Sequence, residues 1–302
     1  MIYSKARQFI MRNARPLDLA RWHYHFENGS REVVLHALSS YQNEDGGFGN
    51  GLEPDYWNPN STPIQTWAAT EILYELAIND RQHPIIEKVL AYLASEEDFN
   101  GKYWKNTVNS NNDYPHAPWW HDTASNTLSY NPTACLAGFI IRYAQKNSNQ
   151  YQHGCKLAGE ALTYLCENSP LNDMHLLSCY IRLVEYIEGA NATHLFNLTE
   201  AKQQLLLGLK ATLTQNHAEW ADTYACRPSQ FLNSRDSTFY EANKALVEYE
   251  CDFILKTQLP DGSWKIPWSW ADYPQEWAIS QNWWKAHAII ENLVFLRNFE
   301  HL

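Results

Sequence analysis

Two short stretches hold most of the side chains able to do chemistry. Glu53-Pro54-Asp55 sets two carboxylates in a polar loop. Such a pair can work as general acid and base or hold a cation, and it can equally cap a helix or sit in ion pairs. Pro54 confines Glu53 to extended backbone, so the two side chains are expected to point apart. The run His116-Ala117-Pro118-Trp119-Trp120-His121-Asp122 brings two imidazoles, two indoles and an acid together. It reads as a proton relay, one wall of a ligand platform or part of a metal site, against a plain aromatic loop. Glu53, Asp55, His121 and Asp122 are the candidate catalytic groups.

Other residues are candidates for ligand contact. Arg227 and Arg235 can grip a phosphate or carboxylate, or pair with Asp222 and Asp236 beside them. Trp268 and Trp270 belong to a cluster with Trp264, Trp277, Trp283 and Trp284, whose flat faces suit polyprene chains and sugar rings alike. With His116, Trp119 and Trp120 these complete the expected binding set. His23 and His25 are two apart on a helical pattern, so they face different sides and do not make a metal pair. With no regular His or Cys ligand spacing elsewhere, neither a metal nor a cofactor is expected.

The elements that must position these residues are helices. Apolar residues recur at helical spacing over about 3–13, 17–26, 32–41, 63–78, 84–94, 132–146, 150–166, 172–188, 199–215, 238–256 and 283–298. Pro63 and Pro84 fit first turns, and Ser61 or Thr62 can cap the helix that follows. No convincing strand is present. Long irregular stretches at 42–61, 95–130, 216–237 and 257–281 alternate with short links and contain nine of the thirteen tryptophans. Loops on a rigid scaffold are where sites are built.

Two of those loops begin alike. Gln42-Asn43-Glu44-Asp45-Gly46-Gly47-Phe48 and Gln258-Leu259-Pro260-Asp261-Gly262-Ser263-Trp264 share Gln-x-x-Asp-Gly followed by an aromatic. Glycine permits a tight turn at positive φ, and the aromatic is placed to pack over it. A unit recurring at both ends of the chain is the mark of a repeat fold. At these residues the chain resembles the terpenoid-cyclase and protein-prenyltransferase superfamily, whose repeats carry Gln-x-x-Asp-Gly-x-Phe/Trp between an outer and an inner helix.

The resemblance implies an all-α protein, an α/α toroid or incomplete α-α barrel of antiparallel helix pairs, with its long loops on one rim. A single domain over 1–302 is expected, as no low-complexity linker divides the chain. The family's catalytic signatures do not carry over. Asp-x-Asp-Asp, Asp-Asp-x-x-Asp and Asp-x-Cys are all missing, and Cys251-Asp252 is the reverse order inside a helix.

Composition narrows the partners. Lys and Arg number 23 against 34 Asp and Glu, a formal charge of −11, which opposes nucleic acid and anionic membranes. No apolar run reaches spanning length. Six cysteines without a Cys-x-x-Cys pair and no signal-peptide pattern point to reduced thiols in a cytoplasmic protein. Three functions fit: a toroid that binds, with or without transforming, an isoprenoid-like or other apolar ligand, a carbohydrate-active toroid using paired carboxylates and Trp platforms, and a non-catalytic scaffold for a peptide or partner protein.

Overall fold

The Gln-x-x-Asp-Gly turns show how the helices are tied. The computed structural model describes residues 2–302. Its α-helices are α1 Ile2–Asn13, α2 Pro16–Phe26, α3 Arg31–Ser39, α4 Pro63–Glu75, α5 Pro84–Ser95 and α6 Thr133–Tyr143, followed by α7 Asn149–Glu167, α8 Met174–Gly189, α9 Leu198–Thr212, α10 Tyr240–Thr257 and α11 Pro274–Asn298. After α3, Gln42 Nε2 donates to the Gly46 carbonyl at 3.0 Å and to the Ile85 carbonyl at the start of α5 at 3.1 Å. After α10, Gln258 Nε2 donates to the Gly262 carbonyl at 3.0 Å and to the Ile2 carbonyl at the start of α1 at 2.9 Å.

The turn itself is equally alike in the two copies. Asp45 Oδ1 accepts from Gly47 N, and Asp261 Oδ1 from Ser263 N, each at 2.9 Å. Gly46 and Gly262 sit at φ +92° and +95°, and a Cβ on either would run into a backbone carbonyl, of Lys88 or of Lys5. Glycine is therefore required twice over, by conformation and by space. Phe48 is fully buried, and Trp264 is buried with its Nε1 donating to the Ile254 carbonyl at 3.0 Å.

The chain forms two compact units. The first joins the described residues up to Ser40 with Leu213–Leu302, and the second is Tyr41–Thr212. In the first, α1, α2, α3, α10 and α11 surround a core that includes Trp22, Leu38, Val247, Ile254, Ile289, Leu293 and Phe299. In the second, α4, α5, α7 and α8 pack against α6, whose residues are buried from Thr133 to Ile141, and α9 packs on α7 and α8. A helix apolar on every side belongs in the middle of a bundle. Among the described residues there is no strand, only isolated bridges, and no helix is long and apolar enough to cross a membrane.

Helix boundaries follow local chemistry. Thr62 caps α4, accepting from Gln65 N at 3.1 Å, with Pro63 in the first turn. Asp173 caps α8 through His175 N and Leu176 N. The last helix begins at Pro274, nine residues before Trp283, so Trp277 lies on α11 and not in the preceding loop. Pro274 is well suited to a first turn, and Glu276 favours the positive end of the helix dipole.

Candidate functional site

The loop that carries Glu53 and Asp55 is pinned by side chains of α4. Gln65 accepts from Leu52 N at 2.8 Å and donates to the Asn58 carbonyl at 2.9 Å, and Thr66 Oγ1 accepts from Phe48 N at 3.0 Å. The loop is thereby drawn inward: Glu53 is 8% and Asp55 3% exposed. These carboxylates are buried groups, not open rim groups, because the backbone around them is tied to a helix that is itself buried.

The second stretch zips onto the first. Ala117 N donates to the Asp55 carbonyl at 2.7 Å and Trp57 N to the Pro115 carbonyl at 2.8 Å, with Tyr56 and His116 bridged. Two clusters some sixty residues apart in sequence thus share one site in the second unit. Asn58 extends the seam, donating to Asn111 Oδ1 at 2.9 Å, while Asn111 donates to the Trp120 carbonyl at 3.0 Å. The Trp120 ring lies 5.1 Å from that of Tyr56, and Trp119 is 46% exposed beside it.

The two imidazoles are hydrogen-bonded to each other, and their proton positions follow from their partners. His116 Nδ1 is 2.6 Å from the Tyr114 carbonyl, which can only accept, so Nδ1 carries the proton. In neutral His116, Nε2 is then an acceptor, and it lies 3.0 Å from His121 Nδ1. His121 must therefore donate from Nδ1, which leaves its Nε2 with a lone pair. The rings are 15° from parallel with centroids 5.2 Å apart, as expected for rings joined edge to edge by an N–H···N bond. His116 is buried and His121 exposed. The arrangement can take a proton at an exposed nitrogen whose ring is oriented from behind, which is the geometry of a general base.

Asp122 has a structural engagement. Its Oδ1 accepts from Thr107 Oγ1 at 2.7 Å, its N–H donates to Asn112 Oδ1 at 2.8 Å, and its carbonyl accepts from Asn112 Nδ2 at 2.9 Å. That clasp fixes the loop end next to His121.

In the first unit, the arginines find partners other than the neighbouring aspartates. Arg227 Nε lies 3.5 Å from Glu250 Oε1 and its guanidinium 5.6 Å from the Phe253 ring. Arg235 bonds Glu300 at 2.8 Å and the Phe299 carbonyl at 2.9 Å, while Asp222 pairs with Lys265 at 2.7 Å. Glu250 is fully buried and accepts from Ser229 N at 2.8 Å and Ser229 Oγ at 2.6 Å. Burial raises its carboxyl pKa, against the opposing pull of Arg227 and Ser229. Trp268 meets Tyr224 and Trp284 edge-on at 5.2 and 5.3 Å, and Trp270 is buried against Trp277 at 5.7 Å. These indoles pack on other rings, and Trp270 has no open face.

Sequence reading passed over two charged groups set on helices. In the second unit, Arg182 Nε and Nη2 hold the Glu71 carboxylate at 2.9–3.2 Å, Arg182 Nη1 engages Glu185, and the guanidinium sits 3.4 Å from the Tyr74 ring centre. In the first, Arg15 bonds Asp18 at 2.9 Å, and Arg21, 2% exposed, bonds His287 at 3.0 Å and Glu291 at 3.1 Å. The available signal was the charged residues that interrupt otherwise apolar helix patterns, Glu71 on α4 and Arg182 and Glu185, three apart, on α8. Charges kept on inner helix faces are seldom idle. No protein-family model, curated protein or solved structure matches this chain.

Proposed function

We propose that the chain is an α/α toroid that binds a saccharide-like, polyhydroxylated ligand, with the groove on α7 as its binding face. Support for the toroid comes from the two equivalent Gln-x-x-Asp-Gly staples, one of which ties the end of α10 to α1 across 256 residues. Support for the ligand class comes from one observation. A groove of about 980 Å³ in the second unit is lined by Tyr130 and Tyr164 together with Lys102, Lys156, Glu160 and Thr163. Half-buried Tyr164, backed by the buried Tyr130 ring 5.4 Å away, offers an aromatic surface to the C–H face of a sugar, while ammonium, carboxylate and hydroxyl groups take its hydroxyls as directed partners. The groove volume suits an oligosaccharide lying along the helix. Exposed Leu195 and neighbouring Phe196 on the groove edge favour the isoprenoid reading as the rival.

Gly159 offers a clean test. It lines the groove within α7, and a Cβ there would meet nothing within 4 Å. Gly159→Trp should therefore fold as well as wild type, since glycine is a poor helix former, while filling the groove. The wild type should bind neutral oligosaccharides on an immobilised array, and the variant should lose that binding at unchanged melting temperature. Binding of farnesol without any oligosaccharide would replace the ligand class with an isoprenoid. Oligosaccharide binding that survives Gly159→Trp would remove the groove from the reading.

A further inference from the structure

Three helices of the second unit end around one small space. The last turns of α4, α6 and α8, which stop at Glu75, Tyr143 and Gly189, enclose a cavity of about 300 Å³. At roughly 30 Å³ per water molecule, it has room for a ligand on the order of ten heavy atoms. Each helix C-terminus presents the negative end of its dipole, which favours a cation, while most of the last carbonyls of α4 and α8 accept from residues just past the helix.

The walls are fixed. Tyr143 Oη donates to the Ile78 carbonyl at 2.7 Å and Tyr186 Oη to the Thr70 carbonyl at 3.3 Å. The Tyr74 and Tyr186 rings meet edge-on at 5.5 Å. Ala77, which also lines the cavity, is held at φ 50°, a conformation that favours glycine. This is the left-handed residue that closes α4, where Ile78 N donates back to the Leu73 carbonyl at 3.3 Å.

Opposite charges stand at two places on this wall. Glu185 shares its only arginine, Arg182, with Glu71, so one cation serves two carboxylates. Arg142 donates to the neutral Asn79 Oδ1 at 2.6 Å. The Arg142 guanidinium lies 3.4 Å from where a Gly189 Cβ would be, and Gly189 is one helical turn beyond Glu185. Glu185 and Gly189 are therefore spaced by about one turn, roughly 5–6 Å between Cβ positions, with the Glu185 carboxylate turned back toward Arg182. Among the described residues no ion pair joins Glu185 to Arg142.

We propose that this cavity binds a small zwitterion, an α-amino acid or close analogue, with its ammonium on Glu185 among the tyrosine rings and its carboxylate on Arg142. Each ligand charge meets a protein charge of opposite sign, and the aromatic walls receive the carbon skeleton. Burial pushes the Glu185 carboxyl up, against the opposing pull of Arg182 and the Tyr74 hydroxyl. The inference is independent of the groove on α7.

The test is calorimetric titration of the full chain with the twenty standard L-amino acids, one at a time. At least one should bind. Its decarboxylated amine and its deaminated acid should each bind at least ten-fold more weakly. Glu185→Gln and Arg142→Gln should each weaken the amino acid ten-fold or more. Gly189→Ala adds a methyl at ordinary contact distance from Arg142, so it should narrow the cavity and weaken binding while the protein melts no lower than wild type. Failure of every amino acid to bind overturns the proposal. So does an amine that binds as tightly as its parent amino acid, or an affinity unchanged in both charge variants.

Discussion

Replacing Gln42 by alanine removes a side-chain donor from two backbone carbonyls, those of Gly46 and Ile85, the latter also within the hydrogen-bonded turns of α5. Each lost bond costs about 1 kcal/mol, rising to about 3 where the abandoned acceptor is buried, so the total is about 2–4 kcal/mol. If the second unit, roughly 170 residues, melts by itself, its unfolding entropy is about 0.36 kcal/mol/K, and a loss of about 3 kcal/mol lowers Tm by about 8 °C. If all 302 residues melt together, the same loss gives only about 5 °C. Gln258→Ala removes the matching pair of bonds in the first unit and should cost the same free energy. Differential scanning calorimetry of both variants measures the cost and the size of the cooperative unit at once. Gln42→Glu is the sharper probe. A carboxylate aims oxygens at two carbonyls, so this variant should be less stable than Gln42→Ala at neutral pH. A glutamate variant that melts at the wild-type temperature would refute the staple as the tie between turn and helix.

Two further outcomes follow from hydrogen-bond and ionisation geometry. Nitrogen NMR of the neutral protein should find both His116 and His121 protonated at Nδ1, and His116→Ala should release His121 into a mixture of tautomers. The Glu250 carboxyl is raised by burial above its ordinary 4.5. The folded state therefore binds its proton more tightly than the unfolded state does, and stability contributed by that proton is lost as pH rises from 4.5 through the folded value. Melting curves of Glu250→Gln against wild type should diverge in the variant's favour across that window, and parallel curves would show that Glu250 does not titrate there.

The distribution of these features explains what could be read from sequence. Helix starts at Pro63 and Pro84, the cap at Thr62 and the glycine turns at Gly46 and Gly262 depend on one or two neighbouring residues, so their chemistry is written locally. The repeated Gln-x-x-Asp-Gly turn was legible for the same reason, although its partners at Ile85 and Ile2 were not. The start of α11 was misplaced because a tryptophan-rich segment looks like a loop until Pro274 is read as a first turn.

Sequence by itself determined an all-helical chain with two equivalent turns and a cluster of imidazole, indole and carboxylate groups. Tertiary structure alone decided that Asp55 and His116–Ala117 share one seam, that Arg227 turns to Glu250 and Arg235 to Glu300, and that Arg182 reaches Glu71 across 111 residues. Local preferences are fixed by sterics within a turn or two of backbone. A partner many helices away is fixed by packing, which sets which faces meet, and by the cost of leaving a buried charge alone, which sets which charges must.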